Sequence, residues 1–93
     1  MIIKLFSVFD SKAAFFGNPF FDQRDASAIR NFADAVNDSS NPNNLWNKHP
    51  EDYSLYVVGS FDNETGKLHS HTPLSLVTAS ALKSAIGDPP NEK

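Results

Sequence analysis

Between Lys48 and Phe61 the chain reads KHPEDYSLYVVGSF, and no other stretch limits the available folds so sharply. Pro50 fixes its own φ and pushes His49 out of the helical region, while Glu51 and Asp52 keep that corner in solvent. Beyond it, Tyr53, Leu55, Val57 and Phe61 fall on one parity and Ser54, Tyr56, Val58 and Ser60 on the other. This is the period of a β-strand with one oilier face. Such a face needs a covering layer, so Tyr53 to Phe61 is expected at or near the centre of a sheet, with a helix packed on it. Gly59 interrupts the run and marks a bulge or a close approach of neighbouring backbone.

The covering layer is the segment Asp22 to Asp38, DQRDASAIRNFADAVND, the clearest helix in the chain. Ala26, Ile29, Phe32, Ala33 and Val36 recur at three and four residues and form one apolar stripe. Asp25 is placed to cap the amino end or to act as a first-turn acid, and Arg30 and Asp34, four apart, support the wet face slightly. Asn37 suits a C-cap, and the polar run DSSNPNNLWN (38–47) is a loop by composition. Leu45 and Trp46 are its only apolar residues; a Trp in such a loop is either a ring pinned on the core or a stacking surface for a ligand.

At the amino end, Ile3, Leu5 and Phe9 alternate with Ile2, Lys4, Phe6 and Val8, so both faces of a strand from Ile2 to Phe9 are largely apolar. One face suits the chain's own core and the other a partner subunit. Asp10, Ser11 and Lys12 turn the chain into AAFFGNPFF (13–21), two phenylalanine pairs around a Gly17-Asn18-Pro19 turn. Neighbouring rings on extended chain point to opposite sides, so one of each pair is hard to bury in so small a domain. The pairs either clamp the loop to the core or leave rings open to unpaired bases or a second subunit.

After the central strand, DNETG (62–66) reads as a hairpin turn with Gly66 free to take a positive φ, and Lys67 to His71 as a short returning strand. That strand sets Lys67, His69 and His71 on one face. Two imidazoles at this spacing suit zinc or copper, but no third ligand is adjacent in sequence, and neither a metal nor another cofactor is expected. Thr72 and Pro73 end the strand. Leu74 to Ile86 reads as a second helix, with Leu76 or Val77, Ala81 or Leu82 and Ala85 or Ile86 inward, stopped by Gly87. The expected fold is α+β: a small sheet of about three strands with two helices, in the order strand, helix, strand, strand, helix. It forms a single domain over residues 1–87, with a flexible tail at 88–93.

Composition narrows the functional classes. A domain of 93 residues buries only ~60–65% of its unfolded surface, so self-association would add welcome stability. With no cysteine, disulfides, thiolate metal sites and cysteine nucleophiles are excluded, in keeping with a reducing cytoplasm. The apolar run of MIIKLFSVFD is too short and too interrupted for a signal peptide or a membrane span. A net charge of -3 argues against a surface that coats nucleic acid generally, but residues 1–48 balance five basic against five acidic side chains. Any anion-binding face is therefore expected from the first half. No phosphate-cradling glycine loop, HExxH, GxSxG or Walker-type lysine is present, and no enzyme is expected.

FSVFDSKA (6–13), PFF (19–21), AIRNFADAVND (28–38), KHPEDYSLY (48–56) and GSFDNETG (59–66), taken in that order and spacing, resemble the small nonstructural protein of gokushoviruses and related microviruses, phages with single-stranded DNA genomes. The resemblance runs to about Thr72. It implies a non-virion, non-enzymatic, DNA-binding protein of the infected bacterial cytoplasm, acting in genome replication or in the switch to single-strand synthesis and packaging.

Two functions follow. In the first the chain binds DNA, single-stranded by preference, through aromatics interleaved with cations: Lys12 beside Phe15 and Phe16, Arg24 after Phe20 and Phe21, Arg30 on the helix, and Trp46 beside Lys48. In the second the same apolar surface joins a homodimer or higher homo-oligomer, or engages viral replication or capsid proteins without touching DNA. No membrane partner is expected.

Overall fold

Tyr53–Asp62 is the middle of an antiparallel sheet, β4, with β1 (Ile2–Asp10) on one side and β5 (Lys67–Thr78) on the other. The computed structural model describes residues 1–84. The far edge of β1 is shared by two short strands, β2 (Phe15–Phe16) beside Phe9 and Asp10, and β3 (Phe20–Asp22) beside Lys4 to Phe6. The chain reverses once, in the turn at residues 11–14, and then runs antiparallel along β1. Gly17, Asn18 and Pro19, expected as a turn, instead interrupt that pairing opposite Ser7 and Val8 and split it into two strands. Helix α1 (Asp25–Val36) covers one face, joined by the single turn α2 (Leu45–Lys48), a 3-10 turn (Pro50–Asp52) and the short helix α3 (Ala79–Leu82).

The α+β class, the central strand and the covering helix are as expected; the sheet is larger than expected. It has five strands in place of about three, because each phenylalanine pair finds ladder partners on β1. The second correction concerns the expected helix at Leu74–Ile86. Leu74 to Thr78 continue β5, and helix is confined to Ala79–Leu82. Pro73 does not end the strand: the ladder shifts register between Val57 and Gly59, and Pro73 sits in the extra residues of that shift, on an edge strand where a missing N–H costs nothing. Ala85, Ile86, Gly87 and the expected tail at 88–93 lie outside the described residues.

The core is one-sided. Phe6 and Val8 of β1, Tyr53, Leu55 and Val57 of β4, Ala28, Phe32 and Val36 of α1, and Ala79 are all buried. The helical stripe is therefore Ala28, Phe32 and Val36 flanked by Ile29, one position round from the expected stripe, and Ala26 is exposed. Asp25 sits in the first turn and its Oδ1 accepts from Lys4 Nζ at 2.8 Å, tying the start of α1 to β1.

The end of α1 explains the asparagine-rich loop. The last carbonyls of a helix have no partner within it. Here Asn37 Nδ2 donates to Ala33 O (2.8 Å), Asn44 Nδ2 to Ala35 O (2.8 Å) and Asn47 Nδ2 to Val36 O (2.9 Å). Asn37 also donates to Leu82 O and accepts from the Ser84 N–H, so one side chain joins α1 to α3.

Gly59 lies where the β1 and β4 ladders slip, between the pairs Phe6–Val57 and Leu5–Gly59. A Cβ there would overlap the backbone carbonyl of His69 on β5, which only a main-chain shift relieves. Gly59→Ala is therefore expected to lower stability by about 1–3 kcal/mol or more, seen as a fall in the urea midpoint. A midpoint unchanged from the parent chain would contradict the close approach of the two strands.

Candidate functional site

Residues directly opposite in an antiparallel ladder share a face, so the pairing shows what each side of the sheet carries. Lys4, Phe6, Val8 and Asp10 lie on the helix side. Ile3, Leu5, Ser7 and Phe9 lie on the other, opposite Phe61, Gly59, Tyr56 and Ser54 of β4. Phe21 pairs with Leu5 and Phe16 with Phe9, which places both rings on that second face. On β5 the same face continues through Leu68, Ser70, Ser75 and Thr78. No described element packs across it.

Two aromatic groups stand on this open face. Phe9, Phe16 and Tyr56 form one, with ring centroids 4.8 Å (Phe9–Phe16), 5.2 Å (Phe16–Tyr56) and 5.9 Å (Phe9–Tyr56) apart. Phe21 and Phe61 form the other at 5.9 Å. Their anchor positions on β1, Phe9 and Leu5, are four residues apart, or about 14 Å along the strand. Phe16 and Phe21 are open to solvent, by 41% and 55%, and Phe9, Tyr56 and Phe61 are half-buried beside them. Beneath the first group Ser7 is buried, its hydroxyl donating to Gly17 O at 2.7 Å and holding the loop that presents Phe16.

The face carries no charge along its strands. Asp10, Asp22 and Asp62 all have the helix-side parity, as do Lys4 and Lys67. Cations stand at its margins. Lys12 lies in the turn between Phe9 and Phe16, and Arg24 follows β3 at the N-cap of α1; both are exposed, and among the described residues neither makes an ion pair. The Lys12 turn is held by Asp10 Oδ1, which accepts the N–H groups of Lys12 (3.0 Å) and Ala13 (3.1 Å). It closes with Ala14 at φ 62, a left-handed conformation that costs an alanine about 1–2 kcal/mol.

The nine residues expected to bind nucleic acid are divided by this arrangement. Phe16 and Phe21 lie on the open face, with Lys12 and Arg24 at its margins. Phe15 pairs with Asp10 on the opposite parity and is 62% exposed. Phe20 turns to the helix side, where it stacks on Phe6 at 5.9 Å. Trp46 is half-buried there, edge-on to Phe32 at 5.1 Å, so the ring is pinned on the core. Arg30 and Lys48 are exposed on α1 and α2. The open face also recruits Phe9, Tyr56 and Phe61. Phe61 was expected on the oily face with Tyr53, Leu55 and Val57; the ladder slip at Val57 and Gly59 carries it to the other side.

Elsewhere, His49, Glu51 and Asp52 bring one ligand atom each within 4.8 Å of one another on the 3-10 turn. His49 and Glu51 are exposed, and no buried group orients them. Burial, then the Asp10 carboxylate, pushes the Tyr53 phenol above its ordinary value.

Residues 3–82 match the family model described as phage ORF5 protein. The chain belongs to the phage ORF5 protein family. It is 35% identical over 66 residues to Protein ORF5 of Chlamydia phage 1, an alignment covering 69% of this chain and 68% of that protein. The resemblance to a small gokushovirus protein therefore holds. No solved structure matches the chain at a significant level. Among the described residues, no helix is long and apolar enough to cross a membrane.

Two outcomes test this geometry. Phe16→Ala and Phe21→Ala, which leave solvated positions, are expected to cost less than about 1 kcal/mol each, against about 3–5 kcal/mol for Phe32→Ala in the core, by urea unfolding. Losses at Phe16 or Phe21 as large as that at Phe32 would mean those rings are sealed in the fold. At the end of α1, the hydroxyl and then the N–H of Ser40 donate to Asp38 Oδ1 (2.6 and 2.9 Å) and hold its carboxyl below the ordinary value of 3.8. These bonds contribute fully above that value and are lost as pH falls through the lowered one. An NMR titration placing the Asp38 midpoint above 3.8 would contradict them.

Proposed function

We propose that this phage protein is a non-enzymatic binder of single-stranded DNA, acting in the host bacterial cytoplasm during genome replication or the switch to single-strand synthesis and packaging. What supports the reading is the open sheet face: exposed rings on a surface whose strands carry no carboxylate, within a chain of net charge -3, with Lys12 and Arg24 at its margins. Single-stranded bases expose their π faces to such rings, and each stacked base contributes about 1–3 kcal/mol. The hydroxyls of Ser70, Ser75 and Thr78 on β5 can donate to phosphate oxygens along the same face.

Stacking outweighs charge in this design. With two marginal cations engaged, the logarithm of affinity should fall with the logarithm of salt by a slope of only about -1.4. Fluorescence anisotropy of a labelled oligodeoxythymidylate tests this directly. Binding at tens of micromolar protein in low salt, weakened several-fold or more by Phe16→Ala or Phe21→Ala, is the expected result. Unchanged anisotropy for the parent chain under those conditions would refute the proposal.

The same face supports a second reading. An uncharged apolar surface with Leu68 exposed by 68% also suits the core of a homodimer interface, and on this reading the face is a contact between copies of the chain or with viral replication or capsid proteins. Light scattering separates the two. Loss of oligomer in Phe21→Ala favours the interface, whereas loss of DNA binding with the oligomeric state intact favours stacking.

A further inference from the structure

Across the sheet from the open face, the end of α1, the asparagine-rich loop and α2 line an open, shallow cleft of about 490 Å³, within the usual range of volume for small-molecule sites. Trp46 and Tyr53 supply its aromatic wall. The Trp46 ring is fixed from behind by Phe32 and flanked by Tyr53 at 6.5 Å, so a flat ligand would meet an oriented surface. Around it stand amide groups that the fold has not used. Asn44 Nδ2 is engaged by Ala35 O and Asp38 O, and Asn41 Oδ1 accepts the Asn43 N–H at 2.9 Å. The Nδ2 of Asn41 and the whole side-chain amide of Asn43 make no hydrogen bond among the described residues.

The charge of the lining narrows the ligand further. It contains the Asp38 carboxylate and no lysine or arginine, so it disfavours phosphate while remaining open to a neutral, flat group with adjacent donors and acceptors. We infer that this cleft takes a nucleobase, stacked on Trp46 and read at its edge by Asn41 and Asn43, amides being suited to paired donor and acceptor atoms on a base. The choice of a base over another flat polar ligand rests on the DNA-binding reading above. The shared chemistry admits two sources: a free nucleoside, or one base of a strand.

Trp46 is the sole tryptophan, so its emission reports the cleft directly. The full chain titrated with adenosine and with thymidine to a few millimolar should show saturable quenching, weakened about tenfold by Asn43→Ala or Asn41→Ala with circular dichroism unchanged. Absence of saturable quenching, quenching indifferent to both variants, or equal quenching by glucose would each overturn the inference. If an oligodeoxynucleotide also quenches and free nucleoside competes with it, the occupant is a base of a strand; if nucleoside quenches and the oligonucleotide does not, it is a free nucleoside. Running the series on Phe16→Ala keeps the two proposals apart. Nucleoside quenching that survives while the parent chain shows no oligonucleotide anisotropy change upholds the cleft and removes the open-face reading, and the reverse pattern does the opposite.

Discussion

Everything in this molecule depends on one contact layer, the packing of Ala28, Phe32 and Val36 of α1 against Phe6, Val8, Leu55 and Val57 of the two central strands. A sheet has two faces, and a chain of this length has helix enough to cover one of them. Burying that face leaves the other to solvent. Its aliphatic and aromatic residues are more contiguous than the scattered exposure normal on protein surfaces, which is what the proposed function draws on.

The layer is held by polar devices as much as by apolar ones. Asn37, Asn44 and Asn47 each give a side-chain amide N–H to a carbonyl of the last turn of α1, those of Ala33 and Ala35 also accepting a backbone N–H, and through Asn37 the same network reaches α3. Lys4 and Asp25 secure the opposite end of the helix, at a half-exposed site where such a pair contributes little beyond orientation. The loop that looks like filler in composition is thus the closing clamp of the helical layer. Its remaining amides face the Trp46 cleft.

Charge is sorted by strand parity. The strand carboxylates and Lys4 fall on the helix side, while the open face keeps rings, aliphatics and hydroxyls. A negative chain approaching a polyanion would be repelled by its average field, but what a bound strand meets is the local surface. Membership of the phage ORF5 protein family places the chain in a gokushovirus context without assigning it a ligand. The parity of the acids is the feature on which a nucleic-acid reading stands.

Much of this was legible from residue order alone. Period two around Tyr53 to Val57, the apolar stripe through Ile29, Phe32 and Val36, Gly66 at φ 77 and the capping Asn37 each act within a few residues, where local sterics and burial agree, whereas Ala28 in place of Ala26 was settled by packing. The two apolar faces of Ile2 to Phe9 were equally plain. Tertiary structure alone decided the rest. Leu74 to Thr78 reads as helix by propensity but extends β5 because pairing with Ser54 to Val57 satisfies its backbone and helps bury Leu76 and Val77. Parity assigns Phe61 to the core, yet a single slip at Gly59 inverts every residue beyond it, since the period of a strand leaves no intermediate orientation. Which ring of each phenylalanine pair joins the open face was likewise set by register on β1, a long-range choice that no neighbouring residue encodes.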